Sequence, residues 1–171
     1  MGMKARELVE RTGINVDELI ELLNKAYCDE LLAFYQYWIG AKLAVGIPRE
    51  HVQSELEEHA KEELDHADRL AKRIIELGGT PVLDPANWKQ ISSCGYDAPT
   101  NPCVEALLEQ NIKSERCAIE VYKKLLDYVR GKDMITGHLV RHILEDELEH
   151  EHDLEDLVQD IQHFRKSCTK K

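Results

Sequence analysis

Six side chains of metal-ligating type recur at matched spacings in this sequence: Glu30, Glu63, His66, Glu115, Glu147 and His150. In Ile143 to Leu154, ILEDELEHEHDL, Glu147 and His150 stand one helical turn apart. They lie on a stripe that is otherwise apolar, Leu139, Ile143, Leu154, Leu157 and Ile161. A carboxylate buried alone is costly, so such groups persist in cores when they are paired or hold a cation. The outlying pair with the same spacing, Glu149 and His152, falls between the stripe positions beside Asp146 and Asp153 and reads as solvated charge. Glu63 and His66 repeat the arrangement on the stripe Val52, Leu56, His59, Glu63, His66, Leu70, Ile74, Leu77. Glu30 and Glu115 are lone acidic interruptions of two further stripes. The first runs Leu23, Tyr27, Glu30, Phe34, Tyr37, Ala41, Val45; the second runs Val104, Leu108, Asn111, Glu115, Ala118, Tyr122, Leu125, Val129. Four glutamates bring a charge of about −4, which two divalent cations balance, and two imidazoles add a nitrogen for each. Carboxylates that bridge or chelate as oxidation state changes favour iron, or manganese, over a closed structural zinc site. The bland reading is six ordinary helical charges misplaced by one residue; four interruptions in duplicated order weigh against it.

The elements that must position these groups are long helices. A short helical segment over 4–11 is separated by Gly13 from a first long helix at about 16–45, capped by Asn15 or Asp17 and ended by Gly46-Ile47-Pro48. A second runs to about Leu77, where Gly78-Gly79-Thr80-Pro81 stops it. Residues 78–102 hold four of the five prolines and form a long connection of the kind that crosses between distant elements. A third helix runs from near Pro102 to about Gly131, and a fourth from about Met134 to Phe164, with a frayed tail over 163–171. Glu63 follows Glu30 by 33 residues and Glu147 follows Glu115 by 32, so the halves form an internal pseudo-repeat. The expected fold is all-α: an antiparallel four-helix bundle over about 16–164 with a long crossover between its second and third helices, in a single domain spanning 1–171.

With 43% hydrophobic and 32% charged residues and no apolar run near membrane length, the chain reads as soluble. MGMKARELVERTG lacks the apolar core of a secretory signal, so the expected location is the cytoplasm. A net charge of −11 argues against a nucleic-acid-binding body. Five cysteines, at 28, 94, 103, 117 and 168, without a CxxC pair read as mostly reduced thiols.

At Glu30-Leu-Leu-Ala-Phe-Tyr-Gln-Tyr-Trp, Glu63-Leu-Asp-His-Ala-Asp-Arg and Leu144-Glu-Asp-Glu-Leu-Glu-His the chain resembles bacterioferritins and related ferritin-like proteins over about residues 16–160. The resemblance implies an intrasubunit ferroxidase centre holding two iron ions per subunit. Glu63 and Glu147 would bridge the metals, Glu30 and Glu115 would be terminal, and His66 and His150 would supply nitrogen. Tyr37 matches a tyrosine close to that centre. Leu64 stands where bacterioferritins place the methionine that binds haem iron, so no haem is expected. The sequence ends soon after the fourth helix, without the fifth that helps close 24-subunit cages. Glu10-Arg-Thr-Gly-Ile, Ser93-Cys94 and Glu115-Arg-Cys117-Ala resemble the Dps-like thioferritins more closely. That group implies a twelve-subunit shell and a cysteine pair beside the metals, for which Cys94 and Cys117 would be the counterparts. Read from periodicity alone, Cys117 lies off the stripe, and Cys103 could compete with Cys94.

The function implied is oxidation of Fe(II) by hydrogen peroxide or oxygen and storage of Fe(III) mineral in a homo-oligomeric shell, protecting against oxidative stress. The alternatives are a peroxide-scavenging di-iron enzyme like rubrerythrin, whose usual four-cysteine iron domain has no motif here, a di-manganese catalase, and a DNA-compacting structural shell. Against the last stand the acidic body and the few terminal basic residues, Lys4, Arg6, Arg165, Lys166, Lys170 and Lys171. His59 reads either as a third-site ligand or as a hydrogen-bonded core histidine. Tyr27, Phe34 and Tyr122 read as core packing.

Overall fold

The computed structural model describes residues 3–168. A short helix α1 (Met3–Glu10) precedes α2 (Val16–Leu43) and α3 (Arg49–Glu76); a single 3-10 turn at Pro85–Asn87 and a one-turn helix α4 (Trp88–Ile91) interrupt the connection to α5 (Val104–Val129) and α6 (Met134–Cys168). Asn15 caps α2 by accepting from the amides of Asp17 and Glu18. At the other end of α3, Gly78 takes the left-handed conformation (φ +83) that lets the chain turn off the helix. A Cβ on Gly79 would stand 2.7 Å from Ile20 Cγ2, so a side chain there would push the turn off α2. Asp133 closes the loop before α6: its Oδ1 accepts from the amides of Ile135 and Thr136, and its Oδ2 pairs with buried Arg73 of α3 at 2.9 Å.

Two apolar clusters occupy opposite ends of the bundle. One gathers Leu19, Leu23 and Ala26 of α2 with Leu70 and Ile74 of α3, Tyr122 and Leu125 of α5, and Val140 and Ile143 of α6. The other gathers Tyr37 and Ala41, Val52 and Leu56, Leu107 and Leu108, and Leu154 and Leu157. Sequence order through the clusters gives the directions. α2 and α6 run from the first cluster to the second, α3 and α5 from the second to the first. The pairs α2·α3 and α5·α6 are therefore antiparallel, and α3 must be joined to α5 by a segment that runs the length of the bundle. This is the all-α bundle with a crossover between its second and third long helices.

The crossover follows α2 from end to end through polar side chains of that helix. Asn24 bonds the backbone at Thr80 and Val82; Asp29 Oδ1 accepts from the Cys94 amide at 2.8 Å; Gln36 Oε1 accepts from the Asp97 amide at 3.2 Å. A parallel bridge between Val45 and Cys103 ends the run. Two boundary expectations and one stripe position are corrected. α2 stops at Leu43 because the chain at Val45 turns to bridge the crossover, leaving Val45 exposed and Ala44 in the core. On α6 the stripe passes through Val140, fully buried, and not through Leu139, which packs only against its edge. α6 also continues as helix to Cys168, past the frayed start expected at His163; Lys170 and Lys171 lie outside the described residues. No helix among the described residues is long and apolar enough to cross a membrane.

Candidate metal centre

Between the two apolar clusters the stripes of all four long helices turn polar at once. Glu30, Glu63, His66, Glu115, Glu147 and His150 are each no more than 2% exposed and converge on one point. Their ligand atoms form two groups, each within 4.8 Å: Glu30, Glu63, His66 and Glu147, and Glu63, Glu115, Glu147 and His150. Glu63 and Glu147 belong to both. The geometry therefore offers two adjacent cation positions sharing two carboxylates, each with one further carboxylate and one imidazole.

The unmet valences point inward. Glu63 Oε1, Glu115 Oε2, Glu147 Oε1 and His150 Nδ1 are buried without a hydrogen-bond partner. Native cores leave few such atoms, so each calls for a ligand. His66 Nδ1 faces Glu30 Oε2 at 3.2 Å, Glu147 Oε1 at 3.3 Å and Glu63 Oε2 at 3.5 Å; His150 Nδ1 faces Glu63 Oε1 at 3.4 Å. Burial pushes the Glu63 carboxyl up and Glu115 well above the usual range, reinforced by neighbouring glutamates. For His150 burial works against protonation, but Glu63, Glu147 and Glu62 overcome it and raise the ring to about 9; His66 is raised likewise by Glu147, Glu30 and Glu63. Without cations the site thus holds protons where metal would balance its charge.

Around this set lie three features that the stripe arithmetic did not reveal. Nε2 of His66 donates to Asp146 Oδ2 at 3.1 Å, and Nε2 of His150 donates to Glu62 Oε2 at 2.7 Å. Each outer carboxylate is the residue immediately before a shared glutamate. Asp146, expected to face outward beside Glu149, is instead half-buried; Glu149 and His152 do face solvent. Second, two tyrosines cross the bundle: Tyr37 Oη donates to Glu115 Oε1 and Tyr122 Oη to Glu30 Oε1. Each follows its own helix's glutamate by seven residues, so Tyr122, read from sequence as packing alone, mirrors Tyr37. The available signal was the pseudo-repeat itself. Third, buried Asp29 links Glu30 to the crossover, and burial, eased by the Cys94 and Ser93 amides, raises its carboxyl to about 6.

Cys94 and Cys117 form a disulfide, Cα atoms 5.7 Å apart. Mostly reduced thiols were expected from composition; the crossover brings this one pair together, while Cys28 and Cys103 are free. Cys103 donates to Glu105 and is tied into the Val45 bridge, so it does not compete. Cys94 lines a residual cavity of about 10 Å³ bounded by Glu30, Glu63, Glu115 and Glu147, and also an outer cleft of about 470 Å³ shared with Cys117. The disulfide therefore stands between the carboxylate centre and the surface.

This fold is that of ferritins, and the chain belongs to that family: the model for the ferritin-like domain matches residues 20–164. Among solved structures it is similar to a dodecameric thioferritin, the bacterioferritin-related protein from Bacteroides fragilis, at 45% identity and a TM-score of 0.94 over 96% of this chain and 98% of that one. A DNA protection during starvation protein of Pyrococcus furiosus is 39% identical over 94% of this chain and 89% of its own length. A bacterioferritin of Desulfovibrio desulfuricans is 28% identical over 78% and 70%. Family and buried carboxylate–histidine groups together support a role in iron storage and ferroxidase chemistry.

Proposed function

We propose that this chain is a Dps-like ferritin subunit, one domain over residues 1–171, that oxidises Fe(II) at a dinuclear centre and stores Fe(III) mineral inside a cytoplasmic homo-oligomeric shell. The observation that carries the reading is the pair of ligand groups sharing Glu63 and Glu147 with lone pairs left over. Glu30 and Glu115 serve as terminal ligands, His66 and His150 as nitrogen ligands. Iron is the substrate; manganese fits the same donors. Leu64 offers no atom to a haem. Similarity to a protein described as a dodecameric thioferritin supports twelve subunits.

The chain's own groups define the chemistry. Holding two Fe(II) side by side lets one oxidant take an electron from each. Hydrogen peroxide accepts two electrons as its O–O bond breaks, so the pair matches one peroxide and releases no odd-electron oxygen species. That stoichiometry makes protection against oxidative stress the purpose. Tyr37 and Tyr122 hold the terminal carboxylates in place across the bundle. Cys94 and Cys117 are a second two-electron donor beside the centre: two thiols closing to a disulfide give up two electrons and two protons, which reduce a further peroxide to two waters. The acidic body argues against binding DNA as the main activity.

The test is anaerobic Fe(II) titration followed by oxidant, on wild type and Glu147→Ala. The expected result is saturation near two Fe(II) per chain, oxidation faster with peroxide than with oxygen, and loss of both in the variant. Continuous peroxide loss with oxygen release and manganese bound would replace this reading with the catalase one. A gel shift at physiological salt would do the same for the DNA-compacting shell.

A further inference from the structure

The disulfide borders two different spaces. Inward, Cys94 and not Cys117 touches the residual cavity beside Glu30, Glu63, Glu115 and Glu147. Outward, both sulfur-bearing residues line the cleft of about 470 Å³, a size that takes a small organic molecule. Once closed, the pair has no electrons left to give until an incoming thiolate breaks the bond. The free thiols among the described side chains do not supply it. Cys28 is fully buried, which pushes its thiol up to about 11, and Cys103 donates to Glu105 beside the Val45 bridge. A thiolate from outside reaches the bond through the cleft.

The walls of that cleft leave the approach open. Gly95, next to Cys94, has φ +74, and a Cβ placed on it would meet nothing within 4 Å. The loop is nevertheless tethered: the Gly95 amide donates to Ser92 Oγ at 3.2 Å, and Gln110 Nε2 donates to the Asp97 carbonyl. The charge of the lining runs against that of the chain. Lys89 of α4 and Lys113 of α5 are exposed there, neither in an ion pair among the described residues, and Asp97 is the one acid beside them, in a chain of net charge −11.

We infer that this cleft is a substrate site for a low-molecular-weight thiol bearing carboxylate or phosphate groups, which Lys89 and Lys113 hold while its thiolate attacks the disulfide. Cys117, which borders only the outer space, takes the attack. A bond forms between its Sγ and the incoming sulfur, the bond between Cys94 and Cys117 breaks, and the electron pair leaves on Cys94, the sulfur nearer the carboxylates. A second thiolate then attacks the small molecule's own sulfur in that mixed disulfide, releasing a small disulfide and the Cys117 thiolate. The two protons carried in by the thiols end on the two cysteines. When one peroxide reoxidises the pair and leaves as two waters, the sum is two thiols and one peroxide giving one small disulfide and two waters. The chain is then a thiol-dependent peroxidase as well as an iron store. That cycle rests on the pair's role as a donor to peroxide proposed above; exchange in the cleft does not.

The test uses the assembled full-length protein, anaerobic and in chelator. 3-Mercaptopropionate and cysteamine, thiols of similar size and opposite charge, are each added, and the release of Cys94 and Cys117 is followed by labelling and mass spectrometry. At equal thiolate concentration the anionic thiol is expected to react about 10-fold faster, a preference that shrinks in high salt. Lys89→Glu combined with Lys113→Glu, two exposed positions, should reverse the order. Equal rates in wild type, or an unchanged order in the double variant, would overturn the inference. Glutathione and coenzyme A separate the carboxylate from the phosphate source, the faster naming the group; rates for both no greater than that of 2-mercaptoethanol would overturn it as well. Peroxide added to the reduced protein with excess thiol should close the disulfide again and consume two thiols per peroxide. Cysteines that stay reduced would overturn the donor role of the pair and leave the cleft site standing.

Discussion

Glu62 and His150 are joined by a 2.7 Å hydrogen bond from Nε2, while Glu63, the next residue on α3, faces the ring's other nitrogen. One turn of one helix thus orients an imidazole of another helix from both sides. Asp146 and Glu147 do the same for His66. The outer bond fixes the proton on Nε2, keeping the Nδ1 lone pair for a cation.

Glu62→Gln is therefore expected to weaken one of two metal equivalents by about 10–100-fold, and Asp146→Asn the other. Calorimetric Co(II) titration checks this. Equal weakening of both equivalents by either variant would mean that the outer carboxylates act on the whole site through charge alone.

In the cation-free protein both histidines are raised, His150 from 6.5 to about 9. A group bound more tightly to its proton when folded stabilises the fold below its unfolded pKa and loses that contribution as pH rises through the folded one. The raised Glu63 and Glu115 carboxyls have the same sign, since their ionisation in the core costs stability. Stability of the metal-free chain should fall between about pH 6.5 and 9, measured by denaturant unfolding in chelator. Saturating Co(II) should flatten or reverse the slope, because metal displaces these protons.

Tyr37→Phe leaves Glu115 Oε1 without its donor, and Tyr122→Phe does so for Glu30 Oε1. Each should cost about 1–3 kcal/mol of metal-free stability. Parity between the two variants is the specific expectation, since the crossings are symmetric; a neutral Tyr122→Phe would make that tyrosine a packing residue only.

Cys117→Ser opens a loop of 23 residues. Constraining a loop of this length contributes about 3 kcal/mol by the chain-entropy model. Guanidinium unfolding should show that loss, and wild type with reductant should match the variant. Thiol labelling at Cys94 before and after peroxide tests the redox role; unchanged labelling would remove the pair from the chemistry.

What the sequence disclosed depended on whether a residue broke a pattern. Glu30, Glu63, Glu115 and Glu147 stood out because charge interrupts an apolar stripe, and His66 and His150 because they keep step with it. Asp146 and Glu62 lie off the stripe among many surface acids, and only the histidine on the facing helix distinguishes them. Tyr122 sits on the stripe, where an aromatic looks like packing; its hydroxyl's target lies on another helix. The path of the crossover was illegible for a different reason. Its irregular backbone is held by single side chains of α2, Asn24, Asp29 and Gln36, so no period in its own residues encodes the course that brings Cys94 to Cys117.

The separation of the hydrophobic residues into two clusters has a consequence for how the molecule comes apart. An oily cap at either end encloses a waist rich in acids, which without a cation is held by its tyrosine and histidine hydrogen bonds alone. If the centre takes up cations as proposed, a subunit without them is the looser object, softest at its middle, and filling the site and strengthening the fold go together.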